Sequence, residues 1–115
     1  MNNKLNLTTL TDELSRNTQF IFGDKLRKII LYGSYARGDY NDDSDLDIMV
    51  LADFEESEES QLQEAVDKLA SRTSLAHDVI VSLLLKNASF FEMYTEFLPY
   101  YRNVATEGVE LYAAN

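Results

Sequence analysis

The segment GSYARGDYNDDSDLDIMV, residues 33–50, decides the reading of the whole chain. It ends in an alternation. Asp45 and Asp47 stand two apart, so on a β-strand both carboxylates project from one face, while Leu46, Ile48 and Val50 turn into a core. Two carboxylates at that spacing on a rigid element suit a hard divalent cation such as Mg²⁺, which prefers carboxylate oxygen and leaves positions for water and substrate phosphates. At the other end of the segment, the apolar run Ile29-Ile30-Leu31-Tyr32 stops at Gly33-Ser34. A strand that turns there into a short helix offers backbone N–H groups and a hydroxyl to an anion. One end is built for phosphate and the other for metal, which together is the chemistry of nucleotide transfer.

Three other motifs fail on these residues. Gly33 and Gly38 have the spacing of a Walker A loop, but Asp39 and Tyr40 stand where Lys and Ser or Thr are required. Asp43, Asp45 and Asp47 imitate the start of an EF-hand loop, yet Ile48 occupies its glycine position and Phe54 its terminal glutamate. A kinase-type glycine-rich loop needs a third glycine that is missing.

The pattern GSYARG, then five residues, then SDLD and an apolar tail resembles the signature of the DNA polymerase β-type nucleotidyltransferase superfamily. In a chain this short, the resemblance is greatest to the minimal nucleotidyltransferases (MNT), antitoxin partners of HEPN-domain ribonuclease toxins. The signature spans 18 of the 115 residues, and its glycine, serine, arginine and paired aspartates fall in place together. An acidic surface turn between two strands explains Asp42 and Asp43, but neither Gly33-Ser34, nor Arg37, nor the alternation.

The 115 residues suffice for one nucleotidyltransferase domain with one core, residues 1–115, but not for a second recognition domain. Without cysteine there are no disulfides and no thiolate metal sites, a composition that agrees with a cytoplasmic protein. The start, MNNKLNLTTL, lacks the apolar centre of a signal peptide. Val79–Leu85 is too short to span a membrane. The net charge of −10 is concentrated: residues 39–59 carry ten acids and no Lys or Arg, so the remainder sums to zero. Such a field repels polynucleotide phosphates and suits metal and a basic protein partner.

Along the chain, residues 1–8 are expected to be loose, and a helix over 9–22 is expected to have Asp12 and Glu13 in its first turn and Gly23 as its stop. Strands are expected at 25–32, 46–52 and 77–85, with a short helix near 34–39 and a longer one from the acidic run at 53 to about 72. Ser89 with Glu92 reads as a capping box for an aromatic helix. Pro99 restarts a second helix that ends near Gly108, and 109–112 is a last strand or a tail. The order fits an α/β (α+β) fold, a small mixed sheet of three to four strands with helices packed on it, like the superfamily's palm-like core.

Phosphoryl transfer assisted by two metal ions needs a further carboxylate near the pair. Asp78 is the candidate: it is expected to open the strand after the long helix, where the family's third aspartate also lies. Catalytic and metal-binding roles therefore fall to Asp45, Asp47 and Asp78. On the nucleotide side, Gly33 allows close approach of phosphate and Ser34 offers hydroxyl and N–H. Arg37, one helical turn on, reaches either the phosphates or the aspartates. Ser44 joins the nucleotide-side set, although its place before Asp45 favours fixing the loop. Arg72 and His77 imitate the R-x4-H motif of HEPN ribonucleases, but they are expected between a helix end and a strand, not within a long helix, so His77 reads as structural or merely exposed. The aromatic residues Phe90, Phe91, Tyr94, Phe97, Tyr100 and Tyr101 exceed what one helical face needs, so part of them suits a partner interface.

The resemblance implies Mg²⁺ (two ions, with Mn²⁺ as a substitute), ATP as donor, a tyrosine of a cognate HEPN toxin as acceptor, and a hetero-oligomer with that toxin. Two other readings stay open. One is an idle antitoxin that inhibits by binding; the other is transfer to a small molecule such as an aminoglycoside.

Overall fold

The computed structural model describes residues 6–114. In chain order the elements are α1 (Leu7–Phe22), β1 (Leu26–Tyr32), α2 (Ser34–Arg37), β2 (Leu46–Ala52), α3 (Glu59–His77), β3 (Val81–Asn87), α4 (Ala88–Tyr94), α5 (Pro99–Glu107) and β4 (Val109–Ala113). The strands form one mixed sheet in the order β3-β2-β1-β4. β1 pairs antiparallel with both β2 and β4, and β3 lies parallel to β2 after the α3 crossover.

The sheet is covered on both faces. Leu46, Ile48, Val50 and Ala52 of β2 pack with Leu10 and Leu14 of α1 and with Val66 and Leu69 of α3. The alternate residues Met49 and Leu51 join Ile30, Ala88, Phe91, Tyr101 and Val104 on the α4–α5 side. Apolar residues on both faces are what a central strand requires. Asp47 is the exception to this run in β2: the second helical layer covers Met49 and Leu51 and leaves Asp47 half-buried. That break in the cover is what makes room for a site.

Local chemistry sets the helix ends. α1 starts at Leu7, not Thr9, because the Asn6 side chain accepts from the Thr9 N–H at 3.0 Å. Asp12 and Glu13 consequently lie inside the helix, and Thr8, expected to be loose, is helical; residues 1–5 lie outside those described. Gly23 ends α1 as expected, with φ of 55°. α4 is capped by Asn87, whose side chain accepts from the Phe90 N–H at 3.1 Å, so the expected Ser89–Glu92 box is displaced by a cap two residues earlier. The final strand is formed, pairing with β1.

The third strand differs most from expectation. α3 continues through His77, Asp78 caps it, and β3 begins only at Val81. β3 is an edge strand, and α3 shields its outer side: the Val81 N–H donates to Ser74 Oγ at 2.9 Å and the Leu85 N–H to Gln63 Oε1 at 3.4 Å. Among the described residues no helix is long and apolar enough to cross a membrane.

Candidate active site

The site lies where β1 ends and β2 begins. In the sheet register Asp47 pairs with Tyr32 on one side and with Ser82 of β3 on the other, so these three side chains share a face. Asp45 sits just before β2, exposed, and the next residue ties that end to β3 through a 2.8 Å bond from the Leu46 N–H to the Ile80 carbonyl.

Gly33 brings the two halves of the motif together. Its φ of 75° and ψ of −156° lie in a region open essentially to glycine alone. A Cβ on Gly33 would stand 2.5 Å from Asp47 Oδ2, so the carboxylate lies directly over the turn that starts α2. Ser34 is the first residue of that four-residue helix, in which the Ala36 and Arg37 N–H groups both donate to the Gly33 carbonyl at 3.1 Å, ahead of which stand the N–H groups of Ser34 and Tyr35. The Ser34 carbonyl accepts from the N–H groups of Gly38 and Asp39, which closes the turn, and Gly38 takes the left-handed conformation at φ 87°. Tyr35 stacks on Tyr40 with ring centroids 4.2 Å apart, bracing the loop that leads back to Asp45.

The loop itself is fixed by Asn41 and Ser44. The Asn41 N–H donates to Ser44 Oγ at 2.9 Å, and the Asp43 N–H donates to Asn41 Oδ1 at 2.8 Å. Ser44 is thus committed to loop geometry, while Asp42 and Asp43 are exposed. Arg37 pairs with Asp39 (Nε to Oδ2, 3.2 Å) and with Glu107 of α5 (3.7 Å), not with Asp45 or Asp47.

The electrostatics mark Asp47. Burial pushes its carboxyl above the usual carboxylate range, the neighbouring charge of Asp45 adds to this, and Arg37 opposes it. Tyr32 is held strongly in its neutral phenol form, first by burial, then by its hydrogen bond to the Tyr100 hydroxyl (2.7 Å), and last by the charge on Asp47. Two neighbouring acids, one with its charge disfavoured, form a donor set that a divalent cation relieves. The oxygen ligands suit Mg²⁺ or Mn²⁺, with positions left for water and phosphate oxygens.

Asp78 does not stand where the sequence places it. It is the αL cap of α3, with φ of 54° and its N–H bonded to the Ser74 carbonyl, three residues ahead of β3. Among the described residues no group of three His, Cys, Asp or Glu gathers closely enough to hold a metal, so the expected trio Asp45, Asp47 and Asp78 is not assembled. The reason is the helix: α3 runs five residues past Arg72, and Asp, a residue tolerant of αL geometry, serves to end it. Asp78 instead lines, with Asp45, Ser74, Leu75 and Ile80, a shallow cavity of about 370 Å³ on the β3 side of the pair. A larger cavity of about 750 Å³, lined by Arg27, Lys28, Leu51, Phe91 and Glu92, opens at the far end of β1 and β2, away from Asp45 and Asp47.

His77 ends α3 and faces Glu13 of α1, Nε2 to Oε1 3.5 Å, a structural contact. The aromatic set divides. Phe91 and Tyr101 are core, whereas Phe90, Tyr94, Phe97 and Tyr100 are exposed together with Met93 and Leu98. Sequence reading missed Tyr32, Ser82, Tyr100 and Glu107 as neighbours of the site. The first is the residue before Gly33; the others are placed by register and by α5.

Comparison with known proteins shows the family and the fold. Residues 11–111 match the model of the nucleotidyltransferase domain family. A candidate protein adenylyltransferase of Methanocaldococcus jannaschii, MJ0141, is 35% identical over 81 residues, covering 70% of this chain and 80% of that protein. Among solved structures, a chain of a mutant MntA–HepT toxin–antitoxin complex is 26% identical, with a TM-score of 0.58 over 97% of this chain and 76% of that one. A chain from the complex of tri-AMPylated HEPN toxin with MNT antitoxin of Shewanella oneidensis shares the fold, at 22% identity and a TM-score of 0.57, over 93% of this chain and 72% of that one. With the family model matched over residues 11–111 and a relative 35% identical over 70% of the chain, the chain belongs to the nucleotidyltransferase domain family of enzymes.

Proposed function

We propose that the chain transfers AMP from ATP to a hydroxyl of a protein partner, a tyrosine of a HEPN ribonuclease toxin, and so neutralises that toxin. The observation that carries the reading is the contact between the two halves of the motif: the Asp47 carboxylate rests over Gly33, beside the opening turn of α2. Triphosphate is bound at Gly33 and Ser34, on the β1 side of the acids. Asp45 and Asp47 would hold Mg²⁺, or Mn²⁺ in its place, which would supply positive charge against the phosphate oxygens.

The cavity beside Asp45 receives the acceptor, and Asp78 on its wall takes the proton from the hydroxyl. The acceptor oxygen bonds to the α-phosphorus, the bond to the bridging oxygen breaks, and pyrophosphate leaves. Arg37, tied to Asp39 and Glu107, keeps the α2 turn against α5 and tempers the charge on Asp47. The acidic run over residues 39–59 keeps polynucleotides from the site.

A protein acceptor is favoured by the exposed apolar side chains Phe90, Met93, Tyr94, Phe97 and Leu98 on and just after α4. The same patch supports the second reading, an antitoxin that acts by binding. Incubating the chain with labelled ATP, Mg²⁺ and the purified partner, with detection by intact mass, tests the proposal. AMP added to a partner tyrosine is the expected result. A neutralised partner of unchanged mass would replace transfer with binding.

A further inference from the structure

Because β3 starts late, the strand next to the acid pair brings a different residue to the site. In the parallel ladder Leu46 faces Val81, Asp47 faces Ser82 and Ile48 faces Leu83. Val81 and Leu83 are buried and Ser82 between them is exposed, on the face that carries Asp47. Directly paired strand residues stand about 5 Å apart at Cβ, within reach of a shared ligand. Asp47 therefore stands between two hydroxyls, Tyr32 on β1 and Ser82 on β3. The Tyr32 hydroxyl is engaged with that of Tyr100, which leaves Ser82 as the neighbour open to the site.

We infer that Ser82 occupies the third-ligand position of the metal site. β3 presents there a neutral hydroxyl, so this chain grips its divalent cation with two carboxylates and depends on nucleotide oxygens for the rest. The inference rests on the proposed metal-dependent function and adds to it a residue and a consequence. Cation binding and nucleotide binding are tightly coupled in this protein, because two carboxylates are the low end of what holds Mg²⁺ without substrate phosphates. Asp78, off the strand, contributes little to cation affinity.

The test is Mn²⁺ binding to the full chain, by calorimetry and by electron paramagnetic resonance, with and without a non-hydrolysable ATP analogue. Ser82→Asp places a third carboxylate beside Asp47 and is expected to raise Mn²⁺ affinity without nucleotide by about tenfold, while Asp78→Asn leaves it unchanged. Melting of Ser82→Asp separates this from misfolding. Three acids without cation lower the midpoint, and Mn²⁺ restores it by a larger shift than in the wild type. A folded Ser82→Asp protein with wild-type affinity would overturn the assignment, as would loss of affinity in Asp78→Asn. Wild type that binds no Mn²⁺ even with the nucleotide would instead overturn the metal site itself.

Discussion

Replacing Gly33 by Ala tests the contact on which the site depends, and two separable costs follow from the structure. The first is backbone: φ of 75° with ψ of −156° is a conformation that costs a residue with a Cβ about 1–3 kcal/mol. The second is the collision of the new methyl with Asp47 Oδ2, 2.5 Å away, which forces the carboxylate off the turn. For a domain near 100 residues the backbone cost alone lowers Tm by roughly 4–8 °C per kcal/mol. Gly38→Ala is the control, because Gly38 also has positive φ, 87°, but nothing stands within 4 Å of its would-be Cβ. Both variants should be destabilised in thermal and urea melts. Only Gly33→Ala should lose Mn²⁺–nucleotide binding and transfer, by at least an order of magnitude at temperatures where both are folded. Equal losses in the two variants, or a fully active Gly33→Ala protein, would refute the claim that Asp47 and the α2 turn form one site.

Asp47→Asn should abolish transfer while keeping the fold. If neutralisation of the partner survives at equal stoichiometry, binding and not transfer is the mechanism. The same variant has a pH signature. Burial and Asp45 raise the Asp47 pKa in the folded state, so ionising it costs stability; that cost sets in as pH rises through the ordinary carboxylate range and is complete above the raised folded pKa. In metal-free melts Asp47→Asn should therefore be more stable than wild type at neutral pH, with the gain vanishing as pH falls below the usual carboxylate range. Tyr100→Phe removes a hydrogen bond that favours the neutral Tyr32, so ultraviolet titration should show Tyr32 ionising at lower pH, still above an ordinary tyrosine because burial is the larger cause. Asn87→Ala should cost about 1–2 kcal/mol in urea unfolding, since it deletes the α4 cap and the bond to the Phe54 carbonyl, while Ser89→Ala should change little.

The parts of the fold that could be read in the sequence are those encoded over short distances. β2 runs over Leu46–Ala52 as its alternation indicates, and Gly23, Pro99 and Gly108 punctuate helices where their backbone chemistry demands. The helix α2 and its glycine flanks follow from the same rule. Asp78 shows where local reasoning ends. Val79, Ile80 and Val81 look like the opening of a strand, yet α3 persists to His77 because Thr73 is buried and Ser74 ties the helix end to Val81. Ser82 was illegible for a related reason. Which β3 residue meets Asp47 depends on the crossover and the parallel register, and neither leaves a mark on the sequence. Arg37's partner Glu107 lies 70 residues away on α5, so only the folded chain could supply it.

The shield along β3 carries a consequence for how the molecule avoids sticking to itself. An unpaired edge is a template on which a second chain can add a strand, and on β3 the outward N–H groups of Val81 and Leu85 are already taken by Ser74 and Gln63. Those two side chains act as gatekeepers against strand exchange, a duty easily mistaken for ordinary helix polarity. Their loss would open the outer rim of the sheet to strand addition by a second chain, and at Ser74 it would also reach the cavity beside Asp45.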